Sequence, residues 1–344
     1  MTVTTSEQLR LIDKFGRVAR DLRVSVTDRC NLRCDYCMPA EGVTFRPKEE
    51  ILSAQELLRL INVAVGVLGI EKICFTGGEP LMRKELEQIV AGTAKLRTTS
   101  GKRLEISMTT NGLGLVHRAE NLAAAGLQRV NVSLDAANPQ DYLTITRRDR
   151  FDDAIAGAAA AAAAGLSPIK LNAVLLPGKN DHQATDLVRL ALRNGYILRF
   201  IEFMPLGTSW KREKMIRADQ ILRVLKKDFE LRIRPESERG TSPAKYWDVA
   251  EGKDHPAGKI GIIASVSRPF CGDCDRTRLT ADGQIRACLF TRTETDLRSA
   301  LRSGACDQEL AELWARTMWA KQPGHGIDDP SFLSPRRNMS AIGG

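Results

Sequence analysis

The sequence is poor in aromatic residues, in histidine and in long apolar runs. Phe, Trp and Tyr make up only 5% of the 344 residues, so the core must rest on Leu, Ile, Val and Ala. The longest apolar stretch, residues 61–70, contains Asn62 and is too short to cross a bilayer. Residues 1–10 are polar and contain Glu7, unlike the start of a secreted protein. These absences predict a cytoplasmic protein that has no membrane segment.

Positive charge is present in excess. The chain has 51 Lys and Arg against 42 Asp and Glu, which is a formal net charge of +9. Such a charge favours anionic partners but does not say whether they are nucleotides, nucleic acid or a membrane surface. The apolar fraction of 43% and the charged fraction of 27% are ordinary for a globular protein. The length allows one large α/β domain or a domain with an appendage.

The eight cysteines are distributed unevenly along the chain. Three lie within eight residues near the start and three within eighteen residues near the end: Cys30, Cys34 and Cys37, then Cys271, Cys274 and Cys288. Cys74 and Cys306 stand alone, and a lone cysteine is most often a small buried apolar residue. In a reducing cytosol, clustered cysteines bind metal more often than they form disulfides. The two groups are therefore candidate metal sites.

Short β-branched runs alternate with longer amphipathic segments in the first two thirds of the chain. Strands are predicted at 22–27, 72–76, 104–109, 129–133, 169–174 and 197–203. Helices are predicted at 53–68, 83–96, 117–125, 151–164 and 182–193. Strict alternation requires a parallel sheet with right-handed crossovers, and six units are too few to close an eight-stranded barrel. The prediction is an α/β fold with an open, partial TIM-like (β/α)6 barrel.

The alternation stops near residue 210, which divides the chain into two regions. Residues 232–258 are rich in Pro, Gly and charge, and the second cysteine group follows them. We therefore expect an N-terminal tail over 1–14, the partial barrel over 15–209, and a C-terminal region over 210–344. That C-terminal region carries the second cysteine group and is predicted to cover the open side of the barrel.

The first cysteine group, Cys30-x3-Cys34-x2-Cys37, follows the first predicted strand. In barrels of this kind the carboxyl ends of the strands carry the chemistry. A structural zinc ion would need a fourth protein ligand, and none of the four histidines is nearby. A [4Fe–4S] cluster held by three thiolates instead keeps one iron open, whereas electron-transfer clusters use four cysteines. The spacing therefore favours a [4Fe–4S] cluster with an open coordination site.

This spacing, with Tyr36 before the last cysteine, resembles that of the radical S-adenosylmethionine superfamily. The second strand ends in Thr-Gly-Gly-Glu-Pro at residues 76–80, which resembles the superfamily motif for the methionine amino group. Glycines let the backbone approach a ligand closely, and a carboxylate can bind an ammonium group. The resemblance implies that the open iron chelates S-adenosylmethionine and that one electron from the cluster releases a 5′-deoxyadenosyl radical.

The second cysteine group, Cys271-x2-Cys274-x13-Cys288, again has three thiolates and no obvious fourth ligand. It encloses Arg276 and Arg278, whose guanidinium groups are one residue apart. Arginine side chains form bidentate contacts with phosphate oxygens. The pattern predicts a second cluster beside an anion-binding loop.

From about residue 15 to its end the chain resembles the GTP 3′,8-cyclase family, also called molybdenum cofactor biosynthesis protein A. The matching segments are LRVSVTDRC at 22–30, CDYCMP at 34–39, TNG at 110–112, NVSLD at 131–135, RFIEFM at 199–204 and the terminal Gly343-Gly344. The resemblance implies a lyase-class enzyme that converts GTP to 3′,8-cyclo-7,8-dihydro-GTP, the first step of molybdenum cofactor biosynthesis. In the implied mechanism the adenosyl radical removes hydrogen from ribose C3′, and the carbon radical adds to guanine C8.

The resemblance also implies roles for particular residues and partners. The ligands of two [4Fe–4S] clusters are Cys30, Cys34 and Cys37 for the first and Cys271, Cys274 and Cys288 for the second, whose open iron takes guanine. The S-adenosylmethionine site is lined by Tyr36, Gly78, Ser133 and Met204. GTP is contacted by Arg23, Thr109, Lys170, Arg276 and Arg278, with Arg199 close by. The implied partners are an unidentified electron donor, a downstream cyclic pyranopterin monophosphate synthase and a second copy in a homodimer, with no nucleic acid and no membrane.

One position departs from the family pattern. Where the family usually carries arginine two residues before the threonine of the TGGEP motif, this chain has Cys74. Alternation along the strand places Cys74 and Thr76 on one face, so the thiol is expected to point into the barrel. A neutral thiol cannot bind phosphate as a guanidinium does. We therefore predict that Arg276, Arg278 and Lys170 carry the triphosphate without help from the second strand.

The C-terminal segment 338–344, NMSAIGG, is predicted to have a function. Chain ends usually fray, but this tail carries apolar Met339 and Ile342, and glycines can enter a site where any Cβ would clash. In the family that the chain resembles, the Gly-Gly tail projects into the active site. We expect Gly343 and Gly344 to reach the GTP side of the cavity and to support cyclisation.

Two alternatives remain open. A peptide-modifying radical enzyme would also carry extra clusters, but such regions tend to have enough cysteines for four-cysteine ligation. A zinc-ribbon nucleic-acid binder would explain the basic charge, but it would need a fourth zinc ligand in each group and aromatic residues interleaved on a basic stripe. Iron and sulfide analysis after anaerobic purification separates the zinc alternative from the radical enzymes.

Overall fold

Parallel strands alternate with helices in the first part of the chain, as predicted. The computed structural model describes residues 9–207, 210–330 and 332–343. Its first six strands are β1 (Asp21–Ser25), β2 (Lys72–Thr76), β3 (Glu105–Thr110), β4 (Arg129–Ser133), β5 (Lys170–Val174) and β6 (Ile197–Ile201). Each of them pairs in parallel register with the next. The bounds of these strands lie within two residues of the predicted ones.

The helices between these strands are α1 (Ala54–Asn62), α2 (Leu86–Ala94), α3 (Ala119–Ala124), α4 (Pro139–Thr146), α5 (Phe151–Ala163) and α6 (Ala184–Arg193). Helix α1 begins at a capping box in which the Ser53 hydroxyl accepts from the N–H of Glu56 and the Glu56 carboxylate accepts from the N–H of Ser53. Helix α4 is missing from the sequence-based prediction. Its start signals are nevertheless present, because Asn138 caps it and Pro139 occupies its first position.

The C-terminal region adds strands to both edges of the same sheet. Its elements are α7 (Ala218–Leu225), β7 (Leu231–Ile233), β8 (Lys245–Val249), β9 (Gly258–Ile263), β10 (Arg276–Leu279), β11 (Gln284–Arg286), β12 (Thr295–Asp296), α8 (Leu297–Arg302), α9 (Asp307–Trp319) and α10 (Met339–Ile342). Strand β9 is parallel to β6 and β10 is parallel to β1, so eight neighbouring strands run in one direction. Strands β9 and β10 escape pattern analysis because glycines interrupt the first and arginines alternate through the second.

The sheet formed by the described residues is open. Its strand order is β12-β11-β10-β1-β2-β3-β4-β5-β6-β9-β8-β7, which has two edges and does not close. The four outer pairings, at β7, β8, β11 and β12, are antiparallel. Among the described helices, none has both the length and the apolar character that crossing a bilayer requires.

Alternation along the strands separates an apolar face from a polar face. In β2, Ile73 and Phe75 belong to the main apolar cluster that includes the helices, whereas Cys74 is buried outside that cluster. The polar face carries side chains such as Arg23 of β1 and Asn131 of β4. The helices therefore cover one face of the sheet, and the other face is available for a binding site.

Candidate active site

One cavity on the polar face is lined by both cysteine groups. All eight cysteines of the described chain are free thiols. The cavity wall also includes the last residues of five parallel strands, Thr76, Thr110, Ser133, Val174 and Ile201. Side chains that are remote in sequence therefore converge at the carboxyl ends of the strands, where α/β barrels place their chemistry.

The two cysteine groups lie toward opposite ends of the parallel strands. The first group follows β1 and so lies beyond its carboxyl end. Cys274 precedes β10, whose first residue pairs with Asp21 at the start of β1. Cys288 returns to the same level, because it follows antiparallel β11, whose last residue pairs with Arg278. The cavity therefore extends along β1 and β10 from one cysteine group to the other.

Burial dominates the surroundings of the first group. It raises the pKa of Cys30 to about 11 and that of Cys37 to about 12. The pKa of Cys34 is well above its usual value, because of burial and then because of the Asp135 carboxylate. The backbone N–H of Ser340 donates to the Cys37 sulfur. Such thiols keep their protons at neutral pH unless a metal displaces them, since a coordinating thiol is deprotonated outright.

In the second group, nearby cations act most strongly on Cys274. Burial raises the pKa of Cys271. Burial would also raise the pKa of Cys274, but the positive charges of Lys321 and Arg276 outweigh it and leave that pKa lowered. The Nζ atom of Lys321 lies 3.5 Å from Cys274 Sγ. Positive charge also reaches the first group, where Arg33 lowers the pKa of Cys30, but only at Cys274 does it outweigh burial.

Each group offers three free thiols at the cavity that could hold an iron–sulfur cluster. No set of three or more His, Cys, Asp or Glu side chains within residues 9–207, 210–330 and 332–343 is arranged to hold one metal ion. A cluster distributes its thiolate ligands over different irons, so the sulfurs need not converge on one point. Three free sulfurs that face a shared cavity can each bind one iron and leave the fourth iron facing that cavity.

The residues predicted to line the S-adenosylmethionine site all face this cavity: Tyr36, Gly78, Ser133 and Met204. The Tyr36 hydroxyl donates to Asp135 Oδ2 at 2.8 Å, and the N–H of Val174 donates to Asp135 Oδ1 at 2.8 Å. Burial raises the pKa of Asp135 to about 6. Asp135, which also lines the cavity, therefore fixes the position of the Tyr36 ring.

The two glycines of the TGGEP loop are required by a contact inside the protein. A Cβ on Gly77 would lie 2.6 Å from the carbonyl oxygen of Thr27, and a Cβ on Gly78 would lie 2.4 Å from that of Arg29. The N–H of Gly78 also donates to the Thr27 carbonyl at 2.8 Å. The loop therefore packs backbone to backbone against the segment that leads into the first cysteine group.

The carboxylate of the same loop, Glu79, is held by protein donors. It accepts hydrogen bonds from the Thr110 hydroxyl at 2.7 Å and from the N–H groups of Asn111 at 2.7 Å and Leu81 at 2.9 Å. Burial raises its pKa to about 7 despite these hydrogen bonds. Glu79 lines the cavity, but it also ties the end of β3 to the TGGEP loop.

The middle of the cavity is positively charged. Five residues of the predicted GTP set line it: Arg23, Thr109, Arg199, Arg276 and Arg278. Asp21 lies 3.1 Å from Arg23 and 3.5 Å from Arg276 and pairs with both. Burial, then the charges of Arg23 and Arg276, lower the pKa of Arg278 to about 9. Several guanidinium groups that share one carboxylate favour a polyanion such as a triphosphate.

Lys170, also predicted to contact GTP, does not line this cavity. It lies at the start of β5 and lines a separate cavity with Arg239 and Lys259. Burial, then the charge of Arg199, lowers the pKa of Lys170 to about 8. The charge of Arg199 therefore affects the pKa of Lys170, but the Lys170 side chain lines the separate cavity and not the one that contains Arg199.

Cys74 lies on the polar face beside the GTP set. Register places it between Arg23 of β1 and Ser107 of β3. Its side chain is only 2% exposed, and its Sγ lies 3.6 Å from Thr109 Oγ1. The thiol therefore points to the same face as Thr76, as alternation predicts, but it does not line the cavity.

The C-terminal tail enters the cavity region at Gly343. The Arg278 guanidinium donates to the Gly343 carbonyl oxygen. Gly343 has a φ of +88°, and a Cβ there would lie 2.8 Å from Thr76 Cγ2 and 3.0 Å from Ser25 Cβ. The site therefore requires glycine both for conformation and for space. Gly344 lies outside the described residues.

Helix α10, just before Gly343, contacts the loops of both cysteine groups. Ile342 packs with Leu206 and with Leu289, which follows Cys288. Ser340 lines the cavity, is 3% exposed, and has no hydrogen-bond partner for its Oγ among the described residues. The tail is therefore part of the cavity wall.

Sequence analysis assigns no individual role to several residues at the cavity, among them Asp135, Lys321 and Ser340. Asp135 ends the NVSLD segment and follows β4, and this position at the carboxyl end of a strand could have identified it as a candidate site residue. Ser340 belongs to the C-terminal segment that is predicted to have a function, whereas Lys321 is remote from both cysteine groups in sequence and no spacing pattern connects it to them.

Comparisons with family models and with known proteins match almost the whole chain. The family model described as Radical SAM superfamily matches residues 24–191, and the one described as Molybdenum Cofactor Synthesis C matches residues 196–327. The GTP 3′,8-cyclase of Corynebacterium glutamicum strain ATCC 13032 is 58% identical over 338 residues, covering 97% of this chain and 89% of that protein. Those of Mycolicibacterium smegmatis and Streptomyces coelicolor are 56% and 55% identical, covering 97% of this chain and 92% and 96% of their own lengths.

Solved structures show the same fold at low sequence identity. The crystal structure of Streptococcus suis SuiB bound to S-adenosylmethionine matches with a TM-score of 0.59 and 16% identity, covering 91% of this chain and 68% of that chain. Native anSMEcpe with bound AdoMet matches with a TM-score of 0.56 and 14% identity, covering 89% and 82%. The architecture therefore extends well beyond close relatives.

Proposed function

This chain belongs to the GTP 3′,8-cyclase family, and on that premise we propose that it converts GTP to (8S)-3′,8-cyclo-7,8-dihydroguanosine 5′-triphosphate. The enzyme is of the lyase class, and the reaction is the first step of molybdenum cofactor biosynthesis. The observation that carries the proposal is the single cavity that two three-cysteine groups share with a set of arginines. A nucleoside triphosphate has both a polyanionic part for the arginines and a base for an open iron.

The first cysteine group would hold a [4Fe–4S] cluster through Cys30, Cys34 and Cys37. S-adenosylmethionine and this cluster supply, when bound, the 5′-deoxyadenosyl radical that takes the ribose C3′ hydrogen and so allows C3′ to attack guanine C8. Contacts to S-adenosylmethionine would come from Tyr36, Gly78, Ser133 and Met204. Asp135 would position Tyr36 by accepting its hydroxyl hydrogen bond.

The second group would hold its own cluster through Cys271, Cys274 and Cys288, with the open iron toward guanine. The position of this group at the far end of β1 and β10 supports a substrate that lies between the two groups. Arg23, Thr109, Arg199, Arg276 and Arg278 would contact GTP. Lys170 would act on the triphosphate from the neighbouring cavity, which makes it the least direct member of the proposed set.

The finer architecture and the biological setting are part of the same proposal. We infer that the six β–α units curve into a partial TIM-like barrel and that the C-terminal region covers its open side. Residues 1–14, 15–209 and 210–344 would be the tail, the radical core and the region of the second cluster. The enzyme would work in the cytoplasm as a homodimer, take electrons from a separate donor, and pass its product to cyclic pyranopterin monophosphate synthase.

Anaerobic incubation with S-adenosylmethionine, a reductant and GTP tests the proposal. We expect GTP-dependent release of 5′-deoxyadenosine together with the cyclised nucleotide. The purified protein should contain iron and acid-labile sulfide near roughly eight each per chain, since each [4Fe–4S] cluster contributes four of each. Bound zinc without sulfide would instead support a zinc-ribbon protein. Release of 5′-deoxyadenosine that responds to a peptide and not to GTP would support a peptide-modifying enzyme.

A further inference from the structure

Lys321 is a buried cation that forms no ion pair with a carboxylate among the described residues. Its side chain is almost fully enclosed, and its Nζ donates to the carbonyl oxygens of Cys274 at 3.2 Å and Arg276 at 2.9 Å. Its third contact is Cys274 Sγ at 3.5 Å. In the part of the chain that the structure describes, Lys321 has no ion pair with Asp or Glu. A buried ammonium is stable only when an anion or several hydrogen bonds compensate for its lost hydration.

The cysteine sulfurs are the available source of negative charge for Lys321. Cys274 lies next to it, and a metal cluster would hold this cysteine as a thiolate. A ligated second cluster would therefore place an anion next to a cation that otherwise lacks one. The proposed cluster would explain why a lysine is buried at this place, and the lysine would in turn stabilise the negatively charged cluster.

The position of Lys321 is fixed by a rigid element. Lys321 comes two residues after the end of α9, and its N–H donates to the Met318 carbonyl at 3.0 Å. The position of helix α9 on β10 is fixed by a hydrogen bond, in which the buried Trp314 Nε1 donates to the Thr277 hydroxyl at 3.0 Å. Thr277 lies between the two arginines of β10. The ammonium is therefore held at a constant place relative to the loop that carries Cys274.

The segment after Lys321 is tied to the other side of the same loop. Arg17 donates to the Cys271 carbonyl at 2.7 Å, to the Gln322 carbonyl at 2.6 Å and to the Pro323 carbonyl at 3.0 Å. Asp13 pairs with Arg17 at 2.6 Å and so holds the guanidinium in place. The cysteine loop and residues 321–323 therefore form one unit.

We propose that Lys321 is a positioning residue for the second cluster, which its ammonium stabilises by charge and by an N–H···S hydrogen bond to the Cys274 thiolate. This inference rests on the proposed second cluster. Hydrogen bonds to cluster sulfurs and nearby positive charge raise the reduction potential of an iron–sulfur cluster. Lys321 therefore keeps the second cluster easier to reduce and easier to retain than it would be without the cation.

An anaerobic redox titration followed by electron paramagnetic resonance tests this role. In a Cys34→Ala background, which removes the first cluster, the reconstituted chain should hold about four irons. Lys321→Met keeps the apolar stem and removes the charge, so it should shift the midpoint potential of the remaining cluster to a more negative value. Lys321→Arg should restore most of the shift. The control Lys227→Met changes an exposed lysine and should leave the potential unaltered.

The other outcomes also decide the matter. Loss of iron in Lys321→Met that Lys321→Arg restores supports the role, because it shows that the charge retains the cluster. An unchanged potential with full iron in Lys321→Met would overturn it. Equal loss of iron in both substitutions, with an equally lowered melting temperature of the metal-free chain, would reduce Lys321 to a structural residue. If Cys34→Ala holds no iron while Lys321 is intact, the proposed second cluster itself is wrong, and the role of Lys321 falls with it.

Discussion

The two cysteine groups have the same number of sulfurs, but their electrostatic surroundings differ, and the difference is largest at Cys274. The first is buried among apolar side chains and near Asp135, so its thiols resist ionisation. The second is bordered by Lys321 and Arg276, and the pKa of Cys274 is lowered. The comparison teaches that an equal number of cysteine ligands does not mean equal function. S-adenosylmethionine is a net cation, because its sulfonium and ammonium groups outnumber its single carboxylate. A site that binds it needs no added positive charge, whereas a site beside a polyanion must supply it.

The largest expected difference between the groups is in thiol reactivity of the metal-free chain. Alkylation requires the thiolate, so Cys274 should react with iodoacetamide near neutral pH at least about a hundredfold faster than Cys37. Raising the pH toward 12 should accelerate Cys37 most, because its pKa is about 12. Peptide mass spectrometry of time-resolved samples measures both rates, with exposed Cys306 as the reference. Equal rates for Cys274 and Cys37 would remove the electrostatic distinction.

Removal of the tail should separate the two halves of the reaction. Deleting Gly343 and Gly344 removes the carbonyl that Arg278 holds and opens the space beside Thr76. We expect cyclised nucleotide to fall on the order of a hundredfold, since misplacing groups by about 1 Å has that effect. Iron content and uncoupled cleavage of S-adenosylmethionine should stay close to those of the full chain. If the truncated protein formed the cyclised nucleotide at the full rate, the tail would have no role in the reaction.

A single methyl group at Gly343 should produce a milder form of the same defect. Gly343→Ala places a Cβ 2.8 Å from Thr76 Cγ2 and forces a positive φ on alanine. Such strain costs roughly 1–3 kcal/mol, so the ratio of cyclised nucleotide to 5′-deoxyadenosine should fall about tenfold. Gly324→Ala is the matched control, because a Cβ at Gly324 meets open space. If both substitutions leave the ratio unchanged, Gly343 is not positioned as described here.

A positive charge introduced at position 74 should strengthen the binding of GTP. Cys74→Arg adds a guanidinium beside Thr109, and a charged hydrogen bond to phosphate contributes about 1.5–3 kcal/mol. We expect GTP to bind about tenfold tighter, measured by equilibrium binding to the cluster-loaded protein. Cys306→Arg carries the same charge change at an exposed site and should have no effect. Weaker binding of GTP by Cys74→Arg, with the clusters intact, would give the thiol a role of its own.

The sequence predicts the six central strands well because each is a short β-branched run between amphipathic helices. It does not predict β10, whose two arginines break the apolar alternation that marks a buried strand. Those arginines are tolerated because their side chains face the cavity. Strand β10 is therefore both a structural element and part of the site, and local pattern cannot reveal that combination.

The site was predictable where its residues belong to motifs and was not where they meet only through the fold. Tyr36 and Gly78 stand next to recognisable spacings, and both line the cavity. Lys321 is 47 residues from Cys274 and reaches it only because α9 packs on β10. Lys170 was predicted by family resemblance, yet it lines a neighbouring cavity. The positions of Lys321 and Lys170 both depend on packing between elements that are distant in sequence, which sequence patterns do not reveal.

The most direct measurement of the central claim compares Cys34→Ala with Cys274→Ala in anaerobically reconstituted protein. The claim is that the two groups hold clusters with different roles at the ends of one cavity. Cys34→Ala should retain about four irons and release no 5′-deoxyadenosine. Cys274→Ala should also retain about four irons and still cleave S-adenosylmethionine, but its cleavage should no longer respond to GTP and it should form no cyclised nucleotide. Release of 5′-deoxyadenosine by Cys34→Ala at the normal rate, or GTP-dependent cyclisation by Cys274→Ala, would contradict the claim.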